Sequence, residues 1–155
     1  GHKKIAYIGD CTYESRYVGY YQTLLTHHIP FDYRYVHPST QTEEEGNRIM
    51  NDILKEEDPP TAIFCANDCT ALGVLRSLKK GRKKNYFPSV IAIDNIRKSA
   101  KTSPMLTTID IPKQELAHFA LLLLLDQQKK AHKECVRIEL PCRLIERDSC
   151  TYAPS

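Results

Sequence analysis

A chain of 155 residues is long enough for one domain with a substantial core and too short for two. With 41% hydrophobic and 26% charged residues it lacks the signature of disorder, and a net charge of +3 does not by itself define a nucleic-acid surface. No apolar run reaches the roughly 18 residues of a membrane span, and no N-terminal run has the order of a signal peptide.

The first predicted strand is Lys4 to Gly9, followed by Asp10. Glu14 to His28 then reads as an amphipathic helix whose apolar set is Tyr17, Tyr20, Tyr21, Leu24 and Leu25. Arg16 lies in its first turn, where the helix dipole disfavours a cation. Such an arginine is solvated, is paired with a carboxylate, or faces an anionic or hydroxyl-rich ligand. A second strand, Tyr33 to Val36, leads through the polar stretch His37 to Gln41 into a helix over Glu43 to Glu56 with an acidic start.

The stretch Thr61 to Leu78 changes period in its middle. Thr61 to Ala66 is a short apolar run after two prolines, which suits a strand buried on both faces. From Asp68 onward Ala71, Leu72, Val74, Leu75 and Leu78 recur at helical spacing, with Asp68 expected as the N-cap. Asn67 and Asp68 are either turn and cap residues only, or groups placed at the strand's carboxyl end to meet a ligand. The basic run Lys79, Lys80, Arg82, Lys83 and Lys84 sits at the helix end, where it satisfies carbonyls and dipole without implying DNA.

Val90 to Ile93 is a further buried strand, ending in Asp94 and Asn95. Three predicted strands thus end at Asp10, Asn67 and Asp94, and in a parallel sheet such ends converge on one crevice. Leu106 to Ile111 is extended, Pro112 opens a helix from Lys113 to about Gln128, and Val136 to Glu146 is a last strand broken at Pro141. Leu116 to Leu125 is apolar nearly all round, so that helix is expected to pack on two sides or to drive self-association.

Six cysteines (Cys11, Cys65, Cys69, Cys135, Cys142, Cys150) do not suggest a disulfide framework in a chain with a conventional core, so a reducing cytoplasm is expected. Cys65 and Cys69 have no nearby histidine or second cysteine pair at zinc spacing, and neither a metal nor a cofactor is expected. There is no phosphate loop, GxSxG elbow or HExxH, and the six histidines lack recognisable partners. Asp10 and Asp94 can serve as catalytic carboxylates or as acceptors for the hydroxyls of a small molecule. Binding is the simpler account, and no enzyme activity is expected.

The motifs GHKKIAYIG, SRYVGYYQTLL, PTAIFCANDCTALGVLRSLK, PSVIAIDN, PMLTTIDIPKQELA and PCRLIERDS resemble, in order, the effector-binding core of the lactose-repressor family of bacterial transcription regulators. The resemblance runs from Gly1 to about Ser149. It implies an α/β fold of three layers, a parallel sheet flanked by helices in the manner of type I periplasmic binding proteins. It also implies a truncated piece: residues 1–112 as the C-terminal subdomain, 113–134 as a helix crossing toward an absent N-terminal subdomain, and 135–155 as returning strand and tail. DNA would be met only through a headpiece outside the chain, and the full-length protein would be a homodimer.

By the same resemblance the effector-contacting arginine, asparagine and aspartate fall on Arg16, Asn67 and Asp94, with Asp10 beside them. The effector would be a sugar, a sugar phosphate or a related metabolite. Where the family commonly has an aromatic residue for stacking, this chain has Gln41. Ala71, Leu72 and Leu75 match the family's dimer surface, although their spacing equally suits intradomain core. A solute-binding protein of a transport system and an α/β enzyme are the rival readings.

Overall fold

The computed structural model describes residues 1–11, 13–81, 86–129 and 134–153. Strands β1 (Ile5–Gly9), β2 (Val36–Pro38), β3 (Ala62–Cys65), β4 (Ser89–Ile93), β5 (Thr107–Asp110) and β6 (Arg143–Ile145) form one sheet in the order β2-β1-β3-β4-β5-β6. All neighbours are parallel except β6, which runs antiparallel to β5 at the edge. Between the strands lie α1 (Ser15–Thr26), α2 (Glu43–Ile53), α3 (Asp68–Lys80) and α4 (Lys113–Gln128).

The two faces of the sheet follow from the two-residue period of the strands. Ala6 and Ile8 of β1, Ile63 and Cys65 of β3, and Val90 and Ala92 of β4 point to one face, where Ile49, Met50 and Ile53 of α2 and Ala71, Val74 and Leu75 of α3 cover them. Tyr7 points to the other face, onto Tyr20 and Leu24 of α1. That makes three layers, as expected of helices packed on both faces of a parallel sheet. Of the predicted apolar set of α1, Tyr20 and Leu24 are buried and Tyr17 is half-buried, while Tyr21 and Leu25 are exposed because the sheet covers only one stripe of this helix.

Helices α2 and α3 touch backbone to backbone. A Cβ on Gly46 would lie 2.1 Å from the Thr70 carbonyl oxygen, and one on Gly73 would lie 2.0 Å from that of Glu43. Thr42 caps α2 by accepting from the Glu45 N–H at 3.2 Å. Across the crossing, Arg76 pairs with Glu43.

Several expectations need correction. The segment Tyr33–Tyr35 is a 3-10 turn, because the Asp32 carboxylate accepts from the Arg34 N–H at 2.9 Å and winds the chain. The strand therefore begins later, at Val36, and takes in His37 and Pro38, which had read as loop. The last strand is only Arg143–Ile145, since residues past Pro141 alone pair with β5. Helix α4 has the predicted span, yet none of its residues is buried. Leu121 and Leu124 are each 55% exposed, so the packing expected on two sides is not supplied by the described residues. Lys79 and Lys80 close α3 as expected; Arg82, Lys83 and Lys84 lie outside the described residues.

The C-terminal motif RLIERDS is a lock on the sheet. The Arg147 guanidinium donates to the Leu106 carbonyl and to Asn95 Oδ1, both at 2.7 Å. Ser149 Oγ donates to the Val90 carbonyl at 2.6 Å and accepts from the Thr107 N–H at 2.8 Å. The segment after β6 is thereby fastened to both β4 and β5.

Candidate functional site

The parallel register places the strand ends on one line. Ile8 lies opposite Cys65, and Phe64 lies opposite Ile91, so Asp10, Asn67 and Asp94 follow their strands at the same level. At this edge the backbone departs from ordinary conformations. Gln41, Asp94 and Asn95 have φ values of 63°, 123° and 50°, left-handed geometry that costs a non-glycine residue about 1–3 kcal/mol and concentrates at functional sites.

Asn67, rather than Asp68, is the N-cap of α3. Its Oδ1 accepts from the Thr70 N–H and from Thr70 Oγ1, both at 2.8 Å, and its Nδ2 donates to the Gln41 carbonyl at 3.0 Å. Asp68 is displaced into the interior, where it is fully buried. Its carboxylate accepts from Thr108 Oγ1 at 2.6 Å, from the Ile96 N–H at 2.9 Å and from Ser99 Oγ. A buried carboxylate with three donors is satisfied, and it ties the start of α3 to β5 and to the loop after β4. Of the two readings of the Asn-Asp pair, the structure shows the cap, with Asn67 as the cap residue and Asp68 buried beneath it.

Arg16 is half-buried and paired. Its guanidinium donates to the Ala66 carbonyl and pairs with the Glu14 carboxylate. Residues two apart do not face each other inside a helix. Glu14, however, is the extended N-cap residue of α1 (φ −68°, ψ 131°), so its side chain turns back toward Arg16. The second Glu14 oxygen accepts from the Tyr7 hydroxyl at 3.2 Å and from Gln41 Nε2 at 3.3 Å. Burial, reinforced by the Glu14 charge, pushes the Tyr7 phenol up and keeps it a donor.

Asp94 stands across the same junction. Burial and then the Asp68 charge push its carboxyl above the ordinary range, while Arg16, Lys113 and the Asp68 backbone N–H pull it the other way. Lys113, at the start of α4, also donates to the Asp94 carbonyl. The next residue, Asn95, donates to Asp110 Oδ1 at 2.9 Å. Arg16 and Asp94 therefore lie on the two sides of the Asn67 junction within each other's electrostatic influence, and Asp10 is exposed at the tip of β1.

Two members of this cluster carry no expectation from the sequence, Glu14 and Lys113, while Gln41 is marked only by the resemblance, as the place of a stacking aromatic. Glu14 had a signal, being an acid two residues before a misplaced arginine; nothing local marked Lys113. Ala71, Leu72 and Leu75 are at most 8% exposed, and Ala71 and Leu75 belong to the core beneath the sheet. Intradomain packing accounts for Ala71 and Leu75. The Cys11 thiol beside the site is pushed up by burial and by the charges of Asp10 and Glu14, so it is not an activated nucleophile. Among the described residues, no group of three or more His, Cys, Asp or Glu side chains could hold a metal ion, and no helix is long and apolar enough to cross a membrane.

Residues 1–150 match the model of the periplasmic binding protein-like domain family. The chain is 37% identical over 161 aligned positions to the HTH-type transcriptional repressor CytR of Escherichia coli, covering 99% of this chain and 47% of the relative. Among solved structures, a putative transcriptional regulator LacI from Bacillus cereus superposes with a TM-score of 0.87 at 30% identity, covering 97% of this chain and 55% of that one. A LacI family transcriptional regulator from Enterococcus faecium with bound ribose superposes with a TM-score of 0.82 at 30% identity, covering 96% and 57%. The chain spans about half the length of the curated relatives it matches.

Proposed function

This chain belongs to the periplasmic binding protein-like domain family, in the form it takes in the effector-binding cores of lactose-repressor-type regulators, and from that membership we propose that it binds a sugar or related small metabolite to control DNA binding by a longer regulator. The observation that carries the proposal is the gathering of Arg16 and Asp94 on either side of the Asn67 junction, at the carboxyl edge of a parallel sheet. A guanidinium donates and a carboxylate accepts, so together they suit a molecule whose adjacent hydroxyls do both. The Cys11 thiol at this edge is held protonated by burial and by its acidic neighbours, and the reading is of binding without catalysis.

The sheet and helices up to β5 make the ligand-facing subdomain, α4 (Lys113–Gln128) is the crossing helix and β6 (Arg143–Ile145) the returning strand, with DNA met by a helix-turn-helix segment of the longer regulator. The effector prefers one arrangement of the longer protein, and this difference in affinity shifts a dimer between states that fit DNA differently. The setting is the cytoplasm. Asp10 adds a ligand contact by accepting hydroxyls, and Asn67 supports the site by holding the cap beneath it.

The test is a calorimetric titration of the full-length protein with ribose, the ligand seen in the Enterococcus faecium relative, alongside cellobiose and other neutral sugars. Replacing Arg16 by Ala is expected to weaken whichever sugar binds by about 10–100-fold, the worth of a hydrogen bond to a charged group. An Arg16→Ala protein that binds as tightly as wild type would remove the site from Arg16 and Asp94.

A further inference from the structure

Resting on the reading of this edge as a ligand site, we propose that Glu14 sets the charge class of the ligand: by occupying Arg16 it admits uncharged polyhydroxylated molecules and excludes phosphorylated ones. Arginine recognises phosphate best through two parallel N–H donors reaching two oxygens. In this structure both terminal nitrogens of Arg16 already have acceptors, the Ala66 carbonyl and the Glu14 carboxylate. A guanidinium carries five N–H donors, so it can also meet single hydroxyl oxygens without displacing either partner.

The Glu14 carboxylate is built in place rather than resting there. Its side chain is 18% exposed, against 34% for Arg16, and its second oxygen is held by the buried Tyr7 hydroxyl and by Gln41 Nε2 at 3.2 and 3.3 Å. Arg16 also lies within the electrostatic reach of Asp94. At the rim, Asp10, Glu14 and Asp94 outnumber Arg16 and Lys113. A dianionic phosphate entering here would have to break the Glu14 pair and approach the Asp94 carboxylate. A sugar hydroxyl can accept from Arg16 and donate to Asp94 at once, leaving the pair intact.

The experiment compares the full-length wild type with Glu14→Gln, using inorganic phosphate, ribose 5-phosphate and ribose as probes in calorimetric titrations at one ionic strength. Glu14→Gln is expected to bind inorganic phosphate and ribose 5-phosphate at least tenfold more tightly than wild type, with the affinity for ribose changed less than threefold. The gain is expected to vanish in Glu14→Gln combined with Arg16→Ala, which locates the anion at the guanidinium. Phosphate affinities within threefold of wild type in Glu14→Gln would overturn the proposal. So would a wild type that prefers ribose 5-phosphate to ribose, a comparison that needs no variant to fold. Inorganic phosphate requires no sugar pocket, so it tests Glu14 even where ribose is not the effector. Loss of the site reading itself is seen separately, as sugar binding that ignores Arg16→Ala.

Discussion

Asn67 does two things that separate experimentally. Its side chain caps α3 and grips the Gln41 carbonyl, so Asn67→Ala is expected to lower stability by about 1–2 kcal/mol in urea unfolding, the range of a lost cap. Asn67→Asp keeps the acceptor for the Thr70 N–H while losing the donor to Gln41, and should recover part of that loss. His37 is the residue to watch against pH. Its Nε2 is buried without a hydrogen-bond partner, and burial holds its pKa below the ordinary value despite the Asp52 charge. The unfolded imidazole therefore takes up its proton first as pH falls through about 6.5, and only below the lowered folded value does the native state follow. The contribution to stability is intact above that window and lost as pH falls through it. Denaturant midpoints at pH 7.5 and 5.5 should differ less in His37→Gln than in wild type; equal differences would show that other groups set the slope.

Elements are held together here by close backbone approach as much as by apolar stripes. Because a Cβ on Gly73 would meet the Glu43 carbonyl oxygen at 2.0 Å and the Asn47 nitrogen at 2.7 Å, Gly73→Ala must push α2 and α3 apart. A loss of about 1–3 kcal/mol, typical of overpacking, is expected in thermal or urea unfolding. An unchanged midpoint would mean that the helices slide freely past each other. The predicted helices α2 and α4 begin where the sequence placed them, and α3 one residue earlier, because charge and apolar period act locally. The strand boundaries were less legible. Tyr33–Val36 has good strand composition, yet the Asp32 side chain captures the Arg34 N–H and turns the chain first.

At the scale of the whole molecule the unresolved demand is α4. Five of its leucines, Leu116, Leu121, Leu122, Leu124 and Leu125, are 44–55% exposed, on a helix none of whose residues is buried. Exposed apolar surface of that kind favours association. The 155-residue chain on its own should gain mass with concentration in light scattering, and a variant carrying Leu121→Glu and Leu125→Glu should stay monomeric. A wild-type chain that is monodisperse and monomeric at high concentration would refute this. The amino-acid order alone determined the alternation of strand and helix, the parallel sheet, and the alignment of Asp10, Asn67 and Asp94 along one edge, since all three follow from period and from short connections. Only the tertiary structure decided that Glu14 takes Arg16, that the Asn67 amide is spent on a cap, and that Ala71 and Leu75 go to the core. The Glu14 pair and the Asn67 cap are made between near neighbours but are fixed by side-chain direction, and the bonds that hold them in place join Arg16 to residue 66 and Asn67 to residue 41, contacts that no local periodicity encodes.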